Sequence, residues 1–491
     1  MTPYRDDSCK KGENCIVDTN DRSVRLQPTR RQILAGGGTA LTAILLVACG
    51  QAGTAAPAEE APAEAEAEKP AEQPQAEAAE INIWVWWPDP VASVEQMGAN
   101  YSEANPNVSV SAEAVSGYWD NLQAAFVGGT GPDIYLMNSV NYFAWSNKEI
   151  PADITAQFKA DPIAQDFAAN AWKTGIDFYT YKGEKMFGVP GMMTSIITLF
   201  NEDAVNEGGF AVPSELGTDW NWDLLQEYAI KLTEREGDNV TRYGAFAPDA
   251  LEQGWLNYVR ANGGDFLDSD LRCVIDSPES IEAWHFCVDL ALKHRVSPTR
   301  EQIADLSQGM AGRGGRFALF GSGQVTLWTA ASNNVKFLNE AWPGSGFTWD
   351  YGYVASSPNT GNPGGTTNIV GWCMNTNSKS PDQAWGVFAN MMTKDSQDIL
   401  ARADVLRPAR DDSAQLYYDP EVTDGPANRI AAFEMFQWTT NLPTHDIVSW
   451  GEMLGPMGAW NPQIFSGAVS VEEGLQNMAA ETNAIFDAAM S

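Results

Sequence analysis

Histidine is scarce in this chain. Only His285, His294 and His445 occur in 491 residues, and the first two stand nine positions apart on one predicted helix, a spacing that does not bring them to one face. Hydrolysis through a histidine base and catalysis at a histidine-held zinc therefore have little to draw on. The chain also lacks a glycine-rich loop ending in Gly-Lys-Ser or Gly-Lys-Thr, a His-Glu-x-x-His helix, a Gly-x-Ser-x-Gly elbow and a Cys-x-x-Cys pair. Phosphate cradling, zinc proteolysis, the nucleophile elbow and dithiol chemistry lose their usual signatures with them. A carboxylate pair, as in a glycosidase, stays open, because any two of the many acidic residues can meet in a fold. Neither a cofactor nor a metal is expected. The run Asp265-Phe266-Leu267-Asp268-Ser269-Asp270 superficially resembles a calcium loop, yet it has no turn glycine and no closing glutamate, and it reads as a hairpin with acidic turn residues.

Positive charge is the second shortage. Thirty Lys and Arg face 64 Asp and Glu, a net charge of −34. Such a surface repels phosphate backbones and anionic headgroups, which argues against nucleic acid as a partner and against a strongly anionic ligand. A neutral or cationic solute fits it, and so does the plain need of a secreted protein to stay soluble.

No apolar run is long enough to span a bilayer. The longest, residues 33–48, falls short of the roughly 20 residues a spanning helix needs. It comes after Thr29-Arg30-Arg31-Gln32-Ile33-Leu34, a twin-arginine pattern, and ends in Leu46-Val47-Ala48-Cys49-Gly50, which resembles a bacterial lipobox. Residues 1–48 thus read as an export signal, with Cys49 as the lipid-bearing first residue of the mature chain; a plain secretory signal with an incidental cysteine is the alternative. Residues 1–28 are long and polar for the front of a signal, which points to a true start near Val24 or Leu26.

Cysteine is sparse too. Beyond Cys9, Cys15 and Cys49 there are only Cys273, Cys287 and Cys373. Cys273 and Cys287 are either bridged across a short loop, worth about 3 kcal/mol, or are two buried thiols. Cys373 reads as a buried strand residue.

Past the signal the chain changes character abruptly. Residues 50–80 are almost wholly Ala, Glu, Pro, Gln and Gly, too poor in apolar surface to offset ordering entropy, and form a flexible tether with ends on the order of 30 Å apart. From residue 81 short apolar runs alternate with amphipathic stretches. Strands are expected at 81–86, 108–114 and 133–137, and helices at 91–105, 121–127 and 222–233, the last with Asp219 or Asn221 near its cap. Strand–helix alternation implies an α/β fold with parallel sheets. The β-branched runs within 184–201 and 366–374 look like places where the chain crosses from one lobe to another.

Tryptophan is plentiful, with 18 residues, three of them in the four positions Trp84-Val85-Trp86-Trp87. A sugar offers flat C–H faces ringed by hydroxyls, so its site needs aromatic planes beside Asp, Asn, Glu or Arg. Trp87 beside Asp89, Trp255 before a Gly-Gly-Asp turn, Trp328 at a strand end and Trp372 after a glycine-rich loop offer such pairs; Trp84 and Trp86 alternate around Val85 and read as packing or cleft wall.

Several short motifs occur in a telling order: INIWVWWPDP at 81–90, Tyr101-Ser102-Glu103-Ala104-Asn105-Pro106-Asn107-Val108, Gly129-Thr130-Gly131-Pro132-Asp133-Ile134, the run 183–190, Leu199-Phe200-Asn201-Glu202-Asp203, Trp222-Asp223, Ala261-Asn262-Gly263-Gly264-Asp265-Phe266, and 317–328 ending in tryptophan. In this order they resemble the extracellular solute-binding proteins of bacterial ABC transporters, in the maltose-binding-protein-like group that mostly carries sugars. The resemblance implies a two-lobed periplasmic-binding-protein-like fold of type II, each lobe a mostly parallel sheet with flanking helices, with 81–190 and 372–428 in lobe one and 191–371 and 429–491 in lobe two. It implies a monomeric, non-catalytic receptor that hands a carbohydrate from an interlobe cleft to permease subunits, held to the membrane only through its lipid. Ligand positions carried over by it are Trp87, Asp89, Asn138, Thr194, Trp255, Asp265, Trp328, Gly371, Trp372, Arg407 and Trp450. The chain departs from the pattern after Phe317, where it reads Ser-Gly-Gln-Val-Thr-Leu, and at the first crossing, which lacks an acidic residue. A secreted carbohydrate-active enzyme, or a receptor for a polyamine or glycerol phosphodiester, are the competing readings.

Overall fold

The computed structural model describes residues 78–307, 314–341, 346–423 and 425–491. The twin-arginine stretch, Cys49 and the tether up to residue 77 lie outside the described residues.

The first strand, Ala79–Val85, pairs in parallel with Val108–Ala114 from Ala79 opposite Val108 to Val85 opposite Ala114. It begins two residues before the sequence pattern suggests, because the Ala79 N–H donates to the Asn107 carbonyl at 2.9 Å and extends the ladder backwards. The two-residue period is plain: Ile81, Ile83 and Val85 are buried on one face, while Asn82 and Trp84 are half-buried on the other. Helix Val91–Ala104 stops at Asn105, where Pro106 disfavours a further helical turn. Helix Tyr118–Gly128 starts earlier than its apolar spacing indicates, launched by Gly117 at φ 58°. Strand Ile134–Asn138 then joins the other side of the first strand, again in parallel.

Two long strands form the middle of the sheet. Val189–Asn201 has all 13 residues buried and pairs antiparallel with Gly365–Met374. It changes neighbours part-way: residues up to Ser195 face Gly365–Met374, whereas Ile196–Phe200 face the strand Val325–Ala331. The main strand order is 108–114, 79–85, 134–138, 365–374, 189–201, 325–331, 239–245 and 234–236, and the short strands 349–352, 407–408 and 439–441 pair onto the crossing strands beside this path. The sheet is mixed. Its first three strands are mutually parallel, as are 239–245 and 325–331; the crossing strands run antiparallel to each other, to 134–138 and to 325–331, while the short strand Thr439–Asn441 pairs in parallel with Gly365–Met374.

Buried apolar side chains gather on either side of that exchange. Residues from 79–193 and 369–409 build two adjoining clusters, one around Ile81, Met192 and Trp372 and one around Tyr135, Tyr142 and Tyr179. A larger cluster around Trp220, Trp255, Trp284 and Leu475 draws on 196–355 and 431–486, with Val140 added. Helix Trp222–Lys231 belongs to the latter and is capped by Asn221, whose side chain accepts from the Leu224 N–H at 3.1 Å. Cys273, Cys287 and Cys373 are free, buried thiols, so the bridge considered for the first two is not formed. Burial raises the Cys273 thiol to about 11 and Cys287 well above the ordinary range, which leaves both unreactive. No helix of the described residues is long and apolar enough to cross a membrane.

Candidate functional site

The three parallel strands end on one edge, so the segments that leave them, 86–90, 115–118 and 138–139, emerge together beside the crossing strands. Asn138 sits opposite Val370 in the ladder and caps helix Ser139–Asn147 by accepting from the Asn141 N–H at 3.1 Å. Next to it, the Ser139 hydroxyl donates to Asn368 Oδ1 at 3.3 Å, reaching from the first cluster of strands onto the second crossing. Asn368 faces Thr194 in the crossing ladder and hydrogen-bonds the carboxyl of Glu252.

Glu252 lies in a five-residue break, Leu251–Trp255, in which Gln253 and Gly254 leave helical geometry. Gly254 is required there: a Cβ would come within 2.9 Å of the Pro248 backbone. The break turns Glu252 and Gln253 into a cavity of about 450 Å³ whose other walls include Ile303, Arg316, Phe317 and Trp328. That volume is within the about 300–1,000 Å³ usual for small-molecule sites. Trp328, on strand Val325–Ala331, is held by Phe317 edge-on at 5.0 Å, Phe246 at 5.6 Å and Phe320 at 5.8 Å, with only 3% of its surface exposed. Arg316 is paired with the buried Asp249, which also accepts from Arg300 Nη1 at 2.9 Å. Glu252 is half-buried, and crowding by protein in place of water pushes its carboxyl up to about 7, against the pull of the Asn368 hydrogen bond. A carboxyl poised near neutrality, an amide, a guanidinium and two aromatic rings thus converge on one cavity.

Where the chain exchanges partners, its hydroxyls are buried and bonded. Thr194 Oγ1 lies 3.1 Å from Ser332 Oγ, Ser195 Oγ donates to the Ala432 carbonyl at 2.6 Å, and Thr367 Oγ1 donates to the Thr194 carbonyl at 2.9 Å. Thr194 therefore stands at the crossing, tied to the segment that comes after the Trp328 strand.

Residues named from sequence divide into three groups. Trp87, Asp89, Asn138, Thr194 and Trp328 lie at the strand-end edge, at the crossing or in the cavity wall. Trp255, Gly371, Trp372 and Arg407 are interior and offer a solute no surface. Trp255 is fully buried against Trp284 at 4.8 Å. Trp372 is 1% exposed and lies against Gly191, where a Cβ would meet its indole nitrogen at 2.4 Å. At Gly371 a Cβ would fall 2.2 Å from the Tyr179 ring, so this glycine exists to admit a tyrosine. Arg407 is buried in a pair with Asp411 and lies over Phe433 and Phe436. Asp265 and Trp450 have local roles: Asp265 accepts from Arg260 Nε at 3.1 Å and from the Phe266 N–H at 2.7 Å, and Trp450 begins a helix whose capping box is Ser449 and Glu452. Asp268 accepts from the backbone N–H groups of Asp270 and Arg272, at 2.9 Å each, as a hairpin turn does.

Glu252, Gln253, Asn368 and Arg316 escaped the sequence reading. The only local sign was Leu251-Glu252-Gln253-Gly254-Trp255, where the tryptophan drew attention and the polar pair before it carries the cavity.

Comparison with known proteins agrees with this architecture. The family model for bacterial extracellular solute-binding proteins matches residues 96–430. An ABC substrate-binding protein of Listeria monocytogenes, solved in complex with cycloalternan, has a similar fold over 84% of this chain and 100% of its own, with a TM-score of 0.70 and 22% identity. Maltose-bound MalE3 of T. maritima covers 83% of this chain and 100% of its own at 0.67 and 19%. The cyclic alpha-maltosyl-1,6-maltose binding protein of Arthrobacter globiformis covers 83% and 99% at 0.65 and 19%. At such identities the likeness is one of fold. With its model matched over more than half the length, this chain belongs to the bacterial extracellular solute-binding proteins.

Proposed function

We propose that the chain is the extracytoplasmic receptor of an ABC importer, that its solute is a carbohydrate, and that it acts as a monomeric carrier and not as an enzyme. The observation that carries this reading is the cavity in which Glu252, Gln253 and Arg316 converge with Phe317 and Trp328 next to the crossing strands. Polar groups there meet sugar hydroxyls, and aromatic edges meet sugar C–H faces. The sugar-bound neighbours of the same fold support it further. In this reading the lobes, 81–190 with 372–428 and 191–371 with 429–491, close about the partner exchange near Ser195, and the solute favours the closed form that the permease subunits recognise.

Trp87 and Asp89 supply the lobe-one contact in this reading. Trp87 is half-buried, 4.9 Å from Trp86. Trp87→Ala is expected to weaken sugar binding about tenfold while leaving the melting temperature of the unliganded protein nearly unchanged. Calorimetry against a panel of mono- and oligosaccharides, with a melting curve beside it, measures both; a large loss of stability with binding intact would return Trp87 to a packing role.

The lipid anchor is part of the same proposal. Cys49→Ser is expected to release the protein from the membrane fraction into the surrounding medium, and a variant that sediments with membranes as the wild type does would remove Cys49 from the account.

A further inference from the structure

We propose that Glu252 accepts hydrogen bonds from the solute's hydroxyls and that capture releases a proton from it, so that the receptor loads more tightly as the surrounding pH rises; this rests on the carbohydrate reading. Donors and acceptors are unequal in the cavity wall. Arg316 can only donate, and so can the Trp328 indole. Gln253 commits its carbonyl oxygen to the Ala331 N–H at 3.1 Å, which leaves its NH2 end for a ligand. Among the described side chains of the lining, Glu252 is the one left to accept. A sugar hydroxyl brings a proton to donate as well as lone pairs, and a buried donor without a partner is costly. The ionised carboxylate meets that proton with two acceptor oxygens. In the protonated form one oxygen becomes a further donor, and the carboxyl also serves Asn368.

Glu252 is firmly placed for this role. Its backbone carbonyl accepts from Asn257 Nδ2 at 2.7 Å and from Thr366 Oγ1 at 2.9 Å, which ties the break to the second crossing strand. The charges packed around the break are engaged elsewhere. Arg316 and Arg300 share Asp249. On helix Leu256–Ala261, Arg260 pairs with Asp265, and Tyr258 shares a hydrogen bond with the Thr329 hydroxyl at 2.7 Å. On helix Pro278–Leu292, His285 pairs with Glu472 and Asp289 with Lys293, Glu282 accepts from Asn262 and Asn359, and Glu279 is exposed. Strands Val325–Ala331 and Gly365–Met374 carry no charged residue, and burial keeps Cys287 and Cys373 as thiols. Burial and the Asn368 amide therefore govern the Glu252 proton, which leaves at about 7 in the empty cavity. Hydroxyls that donate to the carboxylate favour its charged form and lower that value. The loaded protein then holds fewer protons than the empty one, so affinity rises with pH up to the empty-cavity value and levels off above it.

Calorimetric titration of the full chain with neutral gluco-, manno- and xylo-oligosaccharides, in pairs of buffers that differ in heat of ionisation, tests the proposal. For the sugar that binds, affinity is expected to rise about fivefold or more between about pH 5.5 and 6.5 and to level off above about pH 7.5. The buffer comparison at about pH 6 should show close to one proton released per sugar bound. Glu252→Gln keeps an acceptor oxygen but cannot titrate, and it is expected to lose both the pH dependence and the proton release. A wild type that exchanges no proton overturns the proposal, as does one that takes a proton up, or a Glu252→Gln variant with an unaltered pH profile. Absence of binding by any sugar overturns the carbohydrate reading and this proposal with it, whereas sugar binding without proton release overturns this proposal alone.

Discussion

Replacing Glu252 with glutamine is expected to raise the melting temperature of the unliganded protein at about pH 8 and to leave it unchanged at about pH 4. The Glu252 carboxyl titrates near 7 in the folded chain, against an ordinary value of 4.5. Between those values the folded protein holds more protons than the unfolded one, so stability falls as pH rises through that window. Below it the carboxyl is neutral in both states and its burial carries no charge penalty. Above it an ionised carboxylate is held where protein replaces water, at a cost of at most about 3 kcal/mol. Glutamine keeps the shape and a hydrogen-bonding partner for Asn368 without the charge, which removes the pH dependence. Melting curves of the two proteins across this range decide the matter. Parallel curves would mean that Glu252 is hydrated as an ordinary surface carboxylate is, and the cavity chemistry argued for it would fail.

Gly371→Ala is expected to destabilise the protein by about 3 kcal/mol or more, without touching the cavity. The added methyl would stand 2.2 Å from the Tyr179 Cζ and hydroxyl and 2.5 Å from the Val189 carbonyl. Tyr179 has no room to yield. It is fully buried, donates its hydroxyl to the Met137 carbonyl at 2.9 Å, packs on Tyr142 at 4.4 Å, and accepts the Tyr142 hydroxyl on its carbonyl at 2.6 Å. Moving it strands two buried hydrogen bonds; moving Val189 instead opens the crossing ladder, which already shifts register between Val370 and Gly371. Denaturant unfolding should show the lower midpoint with an unchanged slope. A variant as stable as the wild type would show that Tyr179 is free to rotate away, and Gly371 would again be available as a cleft residue.

Periodicity carried much of the fold. The strand expected at 81–86, the cap expected at Asp219 or Asn221 and the β-branched run within 184–201 each place an element within a few residues of its observed limits. Errors at element ends came from backbone pairing that side chains do not announce, as at Ala79. The site was less legible, for a reason of chemistry. An indole is the largest apolar side chain, so it marks a core as readily as a sugar platform, and Trp255 and Trp372 proved to be core. Glu252 drew no attention because one acidic residue among 64 has no signature. Its distinguishing marks are the Gly254 break and the Asn368 partner more than a hundred positions away, and both are properties of the folded chain.

Native mass spectrometry of the protein purified from its own cells tests the central claim most directly. Carbohydrate capture predicts a population heavier than the bare chain by the mass of a sugar oligomer, lost on mild activation and rebound when the released sugar is added back. A bound species of any other chemistry, such as a polyamine or a glycerol phosphodiester, would contradict it.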